Sequence, residues 1–429
     1  MRILFYTLGC KVNQYETKAM RRLLEQAGHV TEEEASSAAD WDAVVVNSCT
    51  VTAESDRKLR QLMRRIRREA PTAALVLTGC MPQAHKDADA AFPEVDILLG
   101  NAARRQLPAL LADFFVHRNR IVSVPPHTAE YEPLEIEEFQ GRTRAYVKIQ
   151  DGCNRFCSYC IIPYARGRVR SRPLADIRRE LTQLAEKGYK EMVLVGINLT
   201  AYGQDCGLSI ADAVETACAV LGLQRIRLGS LEPDYMTPAV LDRLQAQPKL
   251  CPQFHLALQS GCDATLKRMN RHYTTAEYAA LCEELRRRFP HCALTTDIMV
   301  GFPGETEEDF QQSCEFAKDI GFARAHVFAY SRRPGTVADK LQNQIDRATK
   351  SRRSRQMAAV CRETATAYAA KYIGRVVDVL LETDNGDGTY EGHTDTYLTV
   401  RVRTDKQSGA MVPVRITAYD GEQLVGEEA

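Results

Sequence analysis

The run Cys153-Asn154-Arg155-Phe156-Cys157-Ser158-Tyr159-Cys160 constrains this chain more than any other stretch. It reads C-x-x-x-C-x-x-C, with an aromatic residue just before the last cysteine. Three thiolates this close in sequence reach one metal centre without help from the rest of the chain. Thiolates are soft ligands that suit iron–sulfur clusters or zinc. A zinc site wants a fourth ligand nearby. No His and no further Cys follows until Cys206, so three ligands are the local set. Three thiolates on a four-iron cluster leave one iron open to bind something else. The plainer readings are a zinc site and a buried group of reduced cysteines. The ligand count speaks against the first, and the cost of keeping reactive thiols together without a use speaks against the second.

A chain of 429 residues predicts two or three domains. Lys and Arg number 56, as do Asp and Glu, so any contact with nucleic acid must come from local patches rather than overall charge. No run of apolar residues is long enough to span a bilayer. Residues 1–7 are too short for a signal peptide and read as a strand. Fourteen cysteines at irregular spacing do not read as a disulfide framework. They read as thiols in a reducing, cytoplasmic setting, some of them ligands.

In the amino-terminal third, residues 2–7, 43–46, 75–77 and 95–99 are apolar strands. Residues 14–27 and 51–69 have helical spacing between them. This alternation predicts a doubly wound parallel sheet, whose ligand sites lie beyond the carboxyl ends of its strands. Cys10, Cys49 and Cys80 each follow one of three strands, so one sheet edge gathers a second three-thiolate site, again with an open position. The second helix carries Arg57, Lys58, Arg60, Arg64, Arg65, Arg67 and Arg68 with no acid between them. A solvated face is one reading, and a face opposite RNA phosphates is the other.

Residues 125–141 are rich in Pro and Glu and read as a linker. Six strands follow, at 144–149, 191–195, 225–229, 254–258, 294–300 and 324–330, with helices at 174–187, 210–221, 238–245, 275–289 and 307–320. The pattern predicts a (β/α)6 partial barrel. Barrels of this kind place their chemistry at the carboxyl ends of the strands. Those ends carry the cysteine triad, Gly196-Ile197-Asn198, Ser230-Leu231-Glu232, Gln259-Ser260-Gly261, Gly301 to Glu305, and Tyr330-Ser331. Polar groups and glycines on one rim predict a site for a small polar molecule beside the cluster. In YARGRVRSRP, alternation would aim Arg166, Arg168, Arg170 and Arg172 the same way, for carboxylates or for RNA. Residues 347–370 form a basic helix. Short β-patterned runs at 374–381, 390–394, 398–403 and 411–419 then predict a small antiparallel barrel.

TLGCKVNQYET, NSCTVT and TGCMPQ resemble the amino-terminal domain of the radical S-adenosylmethionine (SAM) methylthiotransferases, and the cysteine triad resembles the radical SAM core. SLEP, LQSGCDATLKRMNRHYT, DIMVGFPGET and YSRRPGT match the same subgroup. The resemblance implies two [4Fe-4S] clusters, one on Cys153, Cys157 and Cys160 and an auxiliary one on Cys10, Cys49 and Cys80. It implies SAM on the open iron of the first, with Tyr159 by the adenine and Asn198, Ser230, Glu232 and Gln259 along the rest of the molecule. One SAM would be cleaved to a 5′-deoxyadenosyl radical and a second would supply a methyl group. A flavodoxin- or ferredoxin-like donor would supply the electron. Residues 1–120 would hold the auxiliary cluster, 140–370 the radical SAM core, and 371–429 a domain that resembles the RNA-binding TRAM domain.

Lys11-Val12-Asn13 after Cys10 resembles the type acting on threonylcarbamoyladenosine at position 37 of the tRNA anticodon loop. The isopentenyladenosine type usually has Gln-Met-Asn there, and the ribosomal-protein type Pro-Lys-Asn. The expected reaction replaces the C2 hydrogen of that base with a methylthio group. The alternatives are the same chemistry on one of those other substrates, or a non-catalytic metal-containing RNA-binding protein.

Overall fold

Strand and helix alternate from the first residues of the computed structural model, which describes residues 1–85, 87–136 and 143–429. Six strands make the first sheet: β1 (Arg2–Thr7), β2 (Val30–Glu33), β3 (Ala43–Ser48), β4 (Ala74–Gly79), β5 (Ile97–Leu99) and β6 (Ile121–Ser123). Their order is β2-β1-β3-β4-β5-β6, and every pair is parallel. Strands β3 and β4 are buried along their whole length, which is why they read as unbroken apolar runs. Helix α1 (Lys11–Gln26) and the helix Leu107–His117 cover one face, packing Met20, Leu24 and Leu107 on Phe5 and Val45. Helix α2 (Ala53–Glu69) covers the other with Leu59, Met63 and Ile66. The sheet is therefore doubly wound as expected. The two strands sequence reading does not find, β2 and β6, are its edges. Neither has a fully buried residue, so neither carries a sustained apolar run.

The second body is an arc of parallel strands. It runs β7 (Arg144–Lys148), β10 (Glu191–Val195), β11 (Arg225–Leu228), β12 (Ser230–Leu231), β13 (Gln253–Leu256), β14 (Ala293–Val300) and β15 (Arg324–Ala329), with a short hairpin of β8 (Gln150–Asp151) and β9 (Arg170–Ser171) beside β7. The third position is split at Gly229. Strand β11 pairs back with β10 and β12 pairs forward with β13, so six positions form two abutting sheets. The predicted helices lie between them, with two short additions, Ile162–Arg166 and Asp263–Arg268. The long helix Arg347–Ala370 packs along β15. Part of its basic face is consumed there, because Arg352 pairs with Glu307 and Arg353 with Glu305 and Glu307.

The two bodies share a core. Val12, Tyr15 and Ala19 of α1 join the apolar interior of the partial barrel. The segment read as a linker is not loose. Leu134 and Ile136 are buried in that same core, and the Ile136 N–H donates to Glu180 at 2.8 Å. Residues 137–141 of that linker lie outside the described residues.

The carboxyl-terminal strands β16 (Val376–Asp384), β17 (Thr389–His393), β18 (Thr399–Arg403), β19 (Met411–Tyr419) and β20 (Leu424–Glu428) close into a barrel in the order β16-β17-β18-β20-β19. Strand β20 escapes the sequence reading. It pairs parallel with β18, so the barrel is mixed rather than purely antiparallel. It docks at the amino ends of β7, β10 and β11. Arg227 donates to the Asp395 carbonyl at 2.8 Å, Arg225 donates to the Asp378 carbonyl at 2.7 Å, and Arg144 pairs with Glu382. Among the described residues no helix is long and apolar enough to cross a membrane.

Candidate metal centres and the cavity beside them

Cys10 directly follows the loop after β1, Cys49 follows β3 and Cys80 follows β4. These three strands are neighbours in the sheet, so the cysteines meet at one edge. Two glycines make the approach close enough. At Gly9 (φ +125°) a Cβ would lie 2.8 Å from the Cys49 Cβ, and at Gly79 (φ +97°) it would lie 2.3 Å from the Ser48 carbonyl oxygen. Any side chain would force the loops apart. Burial pushes the Cys49 thiol up to about 12, and the neighbouring Cys80 and Cys10 sulfurs add to this. Cys80 is raised by burial too, with Cys10 contributing, although the Arg166 guanidinium opposes it. Arg166 Nε donates to Cys80 Sγ at 3.2 Å. Cys10 is the exposed member of the three.

The second triad sits in the loop after β8. Cys153 Sγ accepts from the Arg155 backbone N–H at 3.4 Å and from Asn198 Nδ2 at 3.7 Å. Cys157 Sγ accepts from Arg271 at 3.4 Å. Burial raises Cys153 and raises Cys160 further, each thiol also feeling Cys157. The loop is held from outside. The Ser158 N–H donates to the Met269 carbonyl and Asn270 to the Phe156 carbonyl, at 2.9 and 3.0 Å. Phe156 takes a left-handed φ of 52° in this turn.

Both donor sets fit a thiolate-bound cluster. Thiols raised by burial, as Cys49, Cys80, Cys153 and Cys160 are, ionise when a cationic centre binds them, and N–H groups aimed at sulfur tune such clusters. Among the described residues, no three His, Cys, Asp or Glu side chains converge as a single-ion site requires.

Around the second triad, Asn198 and Glu232 come together with Tyr159. Asn198 reaches Cys153, and its own backbone N–H donates to Gln150 Oε1 at 2.8 Å. Glu232 pairs with Arg271. Tyr159 lies edge-on to Phe302. Ser230 lines the cavity beside them. Gln259 is buried at the end of β13 with φ 66°, its backbone bonded to Asp297 and Met299 of β14.

That cavity, of about 510 Å³, lies inside the arc between Cys10 and Lys11 on one side and Gly196 and Ser230 on the other, with Tyr397 of the small barrel at its wall. His255, Asp297, Arg324 and His326 line its floor. His255 Nε2 is 3.3 Å from Asp297 and Nδ1 is 3.1 Å from the Thr295 hydroxyl. Burial, then Arg144 and Arg227, bring the Lys11 ammonium down to about 8.

Several residues central to the arrangement were not found from sequence. Arg271 links the Glu232 carboxylate to Cys157, and it lies inside the LQSGCDATLKRMNRHYT stretch without a local pattern to mark it. Glu16, fully buried on α1, meets Arg104, Arg166 and Lys148. Arg333 reaches across to Asp56 and Thr50 beside Cys49.

The YARGRVRSRP arginines do not share a face. Arg166 ends a helix, Gly167 turns at φ 71°, and Arg166, Arg170 and Arg172 are buried against Glu16, Asp151 and Glu180. Only Arg168 is exposed, stacked on Phe156 at 4.8 Å. On α2, Arg57, Arg65 and Arg67 pair with Glu54, Glu69 and Asp96. Lys58, Arg60, Arg64 and Arg68 have no acidic partner among the described residues, and all four are exposed.

Comparison with known proteins follows this division of the chain. Residues 147–317 match the radical SAM superfamily, and residues 2–100 match the uncharacterized protein family UPF0004. The chain is 37% identical to the threonylcarbamoyladenosine tRNA methylthiotransferase MtaB of Bacillus subtilis, covering 96% of this chain and 93% of that protein. It is 36% identical to the Thermotoga maritima protein of the same name, over 98% and 95% of the two chains. A tRNA-2-methylthio-N(6)-dimethylallyladenosine synthase of Pelotomaculum thermopropionicum is 33% identical, over 97% and 95%. Among solved structures, the radical SAM methyltransferase TsrM of Kitasatospora setae, with cobalamin and a [4Fe-4S] cluster bound, superposes with a TM-score of 0.59. That match has 16% identity and covers 79% of this chain and 77% of that one, which speaks to fold alone.

Proposed function

The chain belongs to the radical SAM methylthiotransferases, and we propose that it converts N6-threonylcarbamoyladenosine in tRNA to the 2-methylthio derivative. Relatives with that printed activity match it over nearly its full length, and a radical SAM core implies SAM and a [4Fe-4S] cluster. The observation that carries the reading is the placement of the cysteines. One triad stands on the rim of each parallel body, and Cys10 of the first lines the same cavity as Gly196 and Ser230 on the rim of the second.

An aromatic C–H bond yields to no side-chain acid or base, so cofactors must carry the step. When bound, the clusters and SAM supply the electron, the hydrogen-abstracting radical, the sulfur and the methyl group. The chain's own residues do the rest. Cys153, Cys157 and Cys160 hold the cluster that binds SAM, and Arg271 and Asn198 place N–H donors on its sulfurs. Asn198, Glu232 and Tyr159 line the SAM pocket, with Ser230 and Gln259 at its margin. Cys10, Cys49 and Cys80 hold an auxiliary [4Fe-4S] cluster, and Arg166 donates to it at Cys80. A second SAM is used per turnover. The wall between Cys10 and Ser230 shapes a cavity that admits a base only when it is unstacked, which costs least in an anticodon loop. The exposed stripe Arg60, Arg64 and Arg68, spaced to share one helix face, and the carboxyl-terminal TRAM-like barrel contact the RNA backbone. A flavodoxin- or ferredoxin-like protein donates the electron, and the setting is cytoplasmic. Functionally the chain divides into 1–120, 140–370 and 371–429.

The test is nucleoside mass spectrometry after anaerobic reconstitution with iron, sulfide, SAM and dithionite, on tRNA carrying threonylcarbamoyladenosine but no methylthio group. A gain equal to SCH3 in place of H on that nucleoside is the expected result. Formation of 5′-deoxyadenosine without that gain would keep the radical chemistry and reopen the substrate.

A further inference from the structure

The wall of the cavity beside Cys10 carries a charge the protein leaves unanswered. Lys11, the next residue, is half-buried and lines the same cavity, yet no carboxylate among the described residues lies within ion-pair distance of it. Its ammonium lies over the face of Tyr146, 5.8 Å away. The nearest acid, Glu191, is already taken by Arg227 at 2.8 Å and is approached by Arg144 and Arg225, both at 3.7 Å. Asp297 across the cavity is held by His255. Arg324, also on the wall, has no hydrogen bond or ion pair among the described residues. The charges that bear on His326 include both Arg324 and Lys11, which places the two cations around one space. An uncompensated ammonium in such a place is costly unless an anion arrives to meet it.

We propose that Lys11 reads the carboxylate of the threonylcarbamoyl group, with Arg324 as the second cation of the anion pocket, an assignment that rests on threonylcarbamoyladenosine being the substrate. The position explains how one residue next to a cluster ligand distinguishes substrates. Because Lys11 directly follows Cys10, its ammonium stays within one side chain's reach of the sulfur-bearing centre. A carboxylate held by Lys11 therefore limits the distance between that centre and the adenine it must modify. An isopentenyl group has no charge to offer, and would leave the half-buried Lys11 ammonium without a partner. The discrimination comes from the unmet charge as much as from the bond made. His255, held through Asp297 and Thr295, is a polar neighbour for the hydroxyl of the threonyl group on the same wall.

The experiment uses reconstituted full-length protein and synthetic anticodon stem-loops that differ only at the target adenosine. One carries threonylcarbamoyl with a free carboxylate, one its methyl ester, and one isopentenyl. Binding is measured for each, and methylthio product is measured in single turnovers. Wild-type protein should bind the carboxylate form about tenfold or more tighter than the ester, as a buried charge-assisted bond implies. Lys11→Met should lose most of that preference, and Lys11→Arg should keep part of it. Iron content is measured on each variant so that a damaged Cys10 site is not mistaken for lost recognition. The wild-type comparison of carboxylate and ester needs no variant at all. Equal wild-type binding of the two would overturn the assignment, as would Lys11→Met retaining full preference with its iron intact. Methylthio product from the carboxylate stem-loop shows separately that the substrate reading stands. Its absence would remove that reading, and this assignment with it.

Discussion

Glu16→Gln is the substitution whose cost the structure sets most directly. Glu16 is fully buried on α1 and is met by Arg104 at 3.0 Å, by Lys148 at 2.8 Å and by both ends of the Arg166 guanidinium. Lys148 lies on β7 and Arg166 follows the second triad, so this carboxylate ties the first sheet to the partial barrel. Burial works against its ionisation, but Arg104, Arg166 and Lys148 outweigh it and bring the carboxyl from 4.5 down to about 2. At 1.36 kcal/mol per unit that is a contribution of about 3 kcal/mol from ionisation alone. Removing one partner from a buried ion network costs about 3–5 kcal/mol by a separate route. The two figures agree. Because the folded value is lowered, the contribution is complete above the unfolded value and is lost as pH falls from about 4.5 towards 2.

The assay is anaerobic urea unfolding followed by fluorescence of Trp41, the one tryptophan, which is buried against the first sheet. At neutral pH the Glu16→Gln protein should unfold about 3 kcal/mol more easily with an unchanged denaturant slope. That gap should be flat between about pH 8 and 6 and should narrow once pH drops below about 4.5. A variant within about 1 kcal/mol of wild type, or a gap that widens on acidification, would refute the reasoning.

Arg271→Gln should slow reductive SAM cleavage at least about tenfold and shift the absorption of the SAM-binding cluster, because Cys157 loses an N–H donor and Glu232 its counter-ion; anaerobic 5′-deoxyadenosine assays and spectroscopy read both. Replacing Arg60, Arg64 and Arg68 together with Gln should weaken tRNA binding alike for modified and unmodified RNA and flatten the dependence of log K on log salt by about two to three units. Gly79→Ala, which drives a methyl into the Ser48 carbonyl, should leave the protein with roughly half its iron after reconstitution while 5′-deoxyadenosine formation persists; iron analysis against protein concentration checks this.

Much of this arrangement is legible in the chain because its chemistry sits in short local runs. The triad from Cys153 to Cys160 needs no partner to be recognised. Cys10, Cys49 and Cys80 are joined by a single inference, that three buried parallel strands end at one edge. Strands β3 and β4, buried on both faces, announce themselves as apolar runs, whereas β2 and β6 at the edges do not. The failures share a cause. Glu16 meets Arg166 across 150 residues and Arg333 meets Thr50 across 283, and no periodicity records such pairings. The arginines after the triad mislead for the same reason. Their alternation points to one face, but the turn at Gly167 and the buried carboxylates of Glu16, Asp151 and Glu180 distribute them inward. On α2 the acids that answer Arg57 and Arg65 lie at the helix ends, just beyond the basic run that draws the eye.

The most direct measurement separates the two triads. Cys49→Ala protein, reconstituted anaerobically with SAM, dithionite and tRNA bearing threonylcarbamoyladenosine, is assayed at once for 5′-deoxyadenosine and for the methylthio nucleoside. If the triads hold two centres with divided roles, SAM cleavage continues and the methylthio product disappears, while Cys157→Ala loses both. Methylthio product from Cys49→Ala would contradict the account at its centre.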